Sequence, residues 1–91
     1  MAEVIFEPIE EEDGEQNNIV FNADVDGNVI ECAISYQALT DHFEAEHSDP
    51  LFAFMMARSE VEKIAEKMIL GGKATDNRLL ITSDDVSNSL K

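Results

Sequence analysis

The chain has no tryptophan, one cysteine (Cys32), two prolines, and no lysine or arginine before Arg58. A lone cysteine excludes an internal disulfide. No apolar run is long enough to span a bilayer as a helix, so a membrane partner is not expected. The opening residues, MAEVIFEPIEEE, lack a basic region followed by an apolar core. A secretory signal is therefore not expected, and the cytoplasm is the expected location. The scarcity of base has a sharper consequence. The net charge is −14, with fourteen acids and no base in residues 1–57 and six of each in residues 58–91. Such a field repels phosphate backbones, so nucleic acid is not an expected partner. It suits a basic protein partner or mimicry of nucleic acid, or, more plainly, a well-solvated surface.

What is present organises itself around Pro50 to Leu70, PLFAFMMARSEVEKIAEKMIL. Asp49 is placed to accept a hydrogen bond from the first turn, and Pro50 suits the first helical position because its missing N–H costs nothing there. Gly71 and Gly72 can take the left-handed conformation that ends a helix. Phe54, Ala57, Val61, Ile64, Ala65 and Met68 recur at spacings of three and four and form one apolar stripe. Ser59, Glu62, Lys63, Glu66 and Lys67 mark the wet side. Phe52, Met55 and Met56 fall off the stripe, so the first half of the helix is apolar almost all round. Either a second element of the same chain covers them as core, which is the plainer expectation, or they meet another chain.

Asn18 to Ser35 reads as a β-hairpin. Ile19, Phe21, Ala23 and Val25 alternate with polar or smaller residues, as do Ile30, Cys32 and Ile34. Asp26-Gly27 between them is a favoured two-residue turn, in which both residues need positive φ. That turn pairs Val25 with Asn28, Ala23 with Ile30, Phe21 with Cys32 and Ile19 with Ile34, and all the large apolar residues then share one face. A slip of one residue mixes the faces. Before the hairpin, Val4-Ile5-Phe6 suits a short edge strand ahead of Pro8, and Glu10 to Gln16 reads as a polar loop. After it, Ser35 caps a short helix from Tyr36 to about Phe43, and Glu44 to Ser48 is a polar connector. Leu79 to Thr82 suits a last strand. Thr82 or Ser83 can cap a short helical tail with Val86 and Leu90 on one side, a segment expected to fray.

The expected fold is α+β, in a single domain over 1–91: a mainly antiparallel sheet of about four strands with two helices packed on one face. The order is β-β-β-α-α-β, with room for a short C-terminal helix.

Candidate chemistry is thin. Cys32 falls mid-strand on the apolar face, where a thiolate is disfavoured, and core packing explains it. Asp24 to Asn28 resembles the opening of a calcium loop, but glycine stands at the fourth place rather than the sixth and the closing acid is missing. The acidic run around Gly14 lacks ligand spacing as well. His42, Glu46 and His47 spell H-x-x-x-E-H, and imidazole with carboxylate suits a divalent ion. Histidines at a helix end are more often simply solvated. No nucleophile–base pair is visible and no glycine-rich phosphate loop opens a helix, so no cofactor is expected and an enzyme ranks third among readings.

One likeness stands beside these readings. Val25-Asp26-Gly27, the string Cys32-Ala33-Ile34-Ser35 with Ala38-Leu39 and Asp41-His42-Phe43, then Phe54, Arg58, Glu62 and Ala65, and finally Leu80-Ile81-Thr82 with Asp84, resemble domain-of-unknown-function family 1488. The resemblance implies a compact bacterial α+β protein and brings no activity, so no catalytic residues carry over. Two functions are left to weigh. The first is a protein-interaction or self-associating module, with Phe52, Met55 and Met56 as the contact and a homo-oligomer or a basic protein as partner. The second is a metal- or small-ligand-binding protein centred on His42, Glu46 and His47.

Overall fold

The computed structural model describes residues 3–43 and 49–89, with the backbone alone at positions 8 and 9. The elements are β1 (Val4–Asp13), β2 (Asn18–Val25), β3 (Asn28–Ser35), α1 (Tyr36–Phe43), α2 (Pro50–Leu70), β4 (Arg78–Ile81) and α3 (Ser83–Ser89). The four strands form one sheet in the order β1-β2-β3-β4. The first three run antiparallel, and β4 joins β3 in parallel after the chain has crossed over through α1 and α2.

The hairpin has the expected register. Val25 pairs with Asn28, Ala23 with Ile30, Phe21 with Cys32 and Ile19 with Ile34. Its turn takes positive φ at both Asp26 and Gly27. The Asp24 carboxylate accepts the Gly27 N–H at 2.8 Å, a second local reason for the turn. Ile19, Phe21, Ala23, Ile30, Cys32 and Ile34 are all buried, together with Leu79 and Ile81 from β4. One face of the sheet is thus dry.

Helix α2 lies over that face and contributes Ala53, Phe54, Val61, Ile64, Ala65 and Ile69 to the core. Asp49 caps it by accepting the Leu51 N–H at 3.0 Å. Three rings run from the sheet into the helix: Phe6 to Phe21 at 6.1 Å between centroids, and Phe21 to Phe54 at 5.2 Å. Helix α1, started by the Ser35 hydroxyl on the Ala38 N–H, packs against α2, α3 and β3.

Three expectations need correction. The run from Glu10 to Asp13 is strand rather than loop: β1 continues past a register shift between Phe6 and Glu10 and pairs Glu10 to Asp13 with Phe21 to Asn18. Backbone pairing to a well-formed neighbour outweighs the poor strand propensity of four consecutive acids. At the end of α2 only Gly72 is left-handed, at φ 77°, while Gly71 stays at −84° and donates to the Lys67 carbonyl at 3.0 Å. The C-terminal segment is the short helix expected there, formed over Ser83–Ser89. Thr82 and Asp85 cap α3 reciprocally, the Asp85 N–H reaching the Thr82 hydroxyl and the Thr82 N–H reaching the Asp85 carboxylate. Val86 is fully buried, which ties the helix down; Leu90 lies outside the described residues. Finally, Phe52, Met55 and Met56 are not core, being 55%, 54% and 74% exposed. The inner side of these turns of α2 is filled by the smaller Ala53 and by Phe54, which leaves the three outside the core.

Replacing the middle ring of the aromatic series tests this core. Phe21→Ala should lower the unfolding free energy by about 3–5 kcal/mol in urea titration. Val29→Ala, on the open face of the sheet, should change it by about 0.5 kcal/mol or less.

Candidate functional site

Three groups of side chains compete to be the site. The first joins α1 to α3. The Asp41 carboxylate accepts the Ser83 hydroxyl at 2.5 Å and the Gln37 amide at 2.8 Å. The His42 Nε2 lies 3.1 Å from the Ser83 carbonyl oxygen and 3.2 Å from its hydroxyl. Serine, histidine and aspartate meet here, but in the wrong order for acyl transfer. A serine hydroxyl has one proton, and Asp41 takes it. The ring nitrogen is then the donor to the Ser83 carbonyl, so His42 is not poised as a base toward Ser83. The Ser83 hydroxyl and then the Gln37 amide hold the Asp41 carboxyl below the ordinary carboxylate range, against a small opposing desolvation. The group does the work of a clasp between two helices.

The same contact decides what becomes of the predicted histidine set. His42 is turned toward α3, while Glu46 and His47 lie outside the described residues. Among the described residues, no group of three or more His, Cys, Asp or Glu side chains is placed to hold a metal ion.

The second group centres on Arg58, which sequence reasoning missed. Its guanidinium donates to Glu10 at 2.5 Å, to Glu62 at 3.0 Å and to the Glu7 carbonyl at 2.6 Å. It also stands 5.5 Å from the centre of the Phe54 ring. Partial burial pulls its pKa down, and the bonds to Glu10 and Glu62 more than offset that. The signal in the sequence was the four-residue spacing of Arg58 and Glu62 on one helix face. Glu10, far away in β1, gave none. Arg58 pins the irregular stretch of the edge strand to α2, which again is structural.

The third group is the outer face of α2. Phe52 and Met56 are one turn apart and Met55 lies between them on the same side. All three are more than half exposed, with the exposed acids Asp49 and Glu60 at either end. Three shallow depressions of about 400, 730 and 340 Å³ lie elsewhere, and none is lined by Cys32, His42 or Ser83. Cys32 itself is buried, and burial, with the Glu31 charge, pushes its thiol up to about 12.

Residues 4–81 match the family model described as "Protein of unknown function (DUF1488)". The chain belongs to this family. No curated protein matches it. A crystal structure of a DUF1488 protein of unknown function from Shewanella loihica PV-4 is similar, with a TM-score of 0.71 at 24% identity, covering 86% of this chain and 90% of that one. At that identity the likeness shows the shared DUF1488 fold alone. Several of the polar residues on which the family resemblance rests, Asp41, His42, Arg58 and Glu62, are those spent on the two structural contacts above. Among the described residues no helix is long and apolar enough to cross a membrane.

Two measurements test these contacts. Arg58→Met should cost about 1–2 kcal/mol of stability, and a double-mutant cycle with Glu10→Gln should return a coupling of about 0.5–1 kcal/mol, the pair being partly open to water. An NMR titration should place the Asp41 carboxyl below its ordinary value of 3.8. Because the folded pKa is depressed, the contact's contribution is in force above that value and is lost as the pH falls through the folded midpoint. Ser83→Ala should move the midpoint back up.

Proposed function

We propose that this chain is a protein-interaction module whose contact surface is the outer face of α2 at Phe52, Met55 and Met56, and whose partner presents a basic amphipathic segment. The observation that carries this is the cluster itself: three large apolar side chains within two helical turns, left in water while seventeen other hydrophobic residues among those described are buried. Methionine side chains repack easily, which suits an apolar partner of variable shape. The charge decides between partners. Residues 1–57 carry fourteen acids and no base, and Asp49 and Glu60 flank the patch. A second copy would bring like charges together, whereas lysines and arginines around an apolar stripe would complement them. The free thiol of Cys32 suits a reducing compartment, so we place the module in the cytoplasm.

A fluorescently labelled Leu/Lys amphipathic helical peptide is the probe. It should bind the native chain, and Phe52→Ser with Met56→Ser should weaken it at least about tenfold without lowering the melting temperature. A Leu/Glu peptide of the same pattern should not bind. Equal binding by the native and double-variant proteins would move the contact elsewhere. A dimer in sedimentation equilibrium that the double variant abolishes would assign the face to a second copy instead.

A further inference from the structure

The chain has five sulfur atoms, four in methionines and one in Cys32, and they are not equally reachable. Cys32 has no exposed surface, and at physiological pH its sulfur stays a neutral thiol, which is a poor nucleophile. Met68 is half-buried and packs against the core; Met1 lies outside the described residues. Met55 and Met56 stand in water, side by side on the face read above as the contact surface.

We propose that Met55 and Met56 form a reversible oxidation site through which a hydroperoxide switches that face off. The proposal rests on the contact reading only for its consequence, not for its chemistry. The thioether sulfur attacks one peroxide oxygen, an S–O bond forms, the O–O bond breaks and water leaves when the oxidant is hydrogen peroxide. Sulfur loses two electrons and the peroxide gains them. Reversal needs a dithiol: the sulfoxide oxygen departs as water while the dithiol becomes a disulfide. The product is a strong dipole at the end of each side chain. In water the sulfoxides are solvated at once, so the fold does not suffer. The residues on the inner side of the same turns, Ala53 and Phe54, keep their packing. Under an apolar partner the same dipoles would have to be stripped of water with no donor to receive them, so the contact is what fails. Thioether oxidation requires no ionisation, so the site works at a pH where the buried thiol cannot respond.

The intact protein is treated with graded hydrogen peroxide and read by peptide mass spectrometry, circular dichroism and hydrophobic-interaction chromatography. Met55 and Met56 should each gain one oxygen before Met68 does, with the helix signal and melting temperature unchanged. Column retention should fall, and affinity for the Leu/Lys peptide should drop about tenfold or more. A methionine sulfoxide reductase with a dithiol should restore both. The variant carrying Met55→Leu and Met56→Leu should keep its retention through the same treatment. Oxidation of Met68 first, or full retention by the doubly oxidised protein, overturns the site. Unchanged peptide affinity in the sulfoxide form overturns the switch. Loss of retention in a protein whose native form never bound the peptide removes the contact reading and leaves the oxidation site standing.

Discussion

Everything in this fold depends on drying one face of a four-stranded sheet with a single long helix. Phe6, Phe21 and Phe54 make the connection from the edge strand through the sheet into α2, and Arg58 closes it from above. Burying the Phe21 and Phe54 rings stabilises the fold by roughly 1.5–3 kcal/mol each before chain entropy is counted. That is more than an ion pair open to water can add. The ion pairs of Arg58 therefore set geometry rather than supply most of the stability. They hold the irregular part of β1 where its backbone can go on pairing with β2. Extended this way, β1 becomes a long edge strand, and edges invite pairing with other chains. The acids of Glu10 to Asp13 make such pairing costly, so the same charges that weaken strand propensity protect the edge they occupy.

This explains which parts of the chain could be read without coordinates. The hairpin was legible because turn chemistry and the alternation of Ile19, Phe21 and Ala23 with their partners demanded the same register. The limits of α2 were legible because Asp49, Pro50 and the glycines mark helix ends by backbone chemistry alone. The second half of β1 was not. A strand that exists because a neighbour offers hydrogen bonds has no signature of its own, and four acids in a row look like solvent. The tail was legible as a short helix with Thr82 as a candidate cap and Val86 on its inner side. What the pattern lacked was the His42–Ser83 contact, which ties that helix to α1 only once the chain is folded.

The site was less legible than the fold. Periodicity marked Phe52, Met55 and Met56 as surplus to the stripe, but surplus apolar residues are usually covered by something. Whether an element exists to cover them is a question of tertiary arrangement, and here they stay more than half exposed. His42 was visible as a polar residue at a helix end, and its true partner, the start of α3, was forty-one positions away in the chain. Arg58 and Glu62 carried a readable spacing, whereas Glu10 could be joined to them only by folding.

A division of labour follows from where the polar residues went. In this chain Asp41, His42, Arg58 and Glu62 converge on junctions between elements. They hold the frame of this chain together, and its fold is shared with the Shewanella protein at 24% identity. What distinguishes one such frame from another must then lie on surfaces the frame does not use. On the contact face proposed above, Phe52, Met55 and Met56 lie outside the core, so changes to them should leave the sheet and the inner face of α2 as they are.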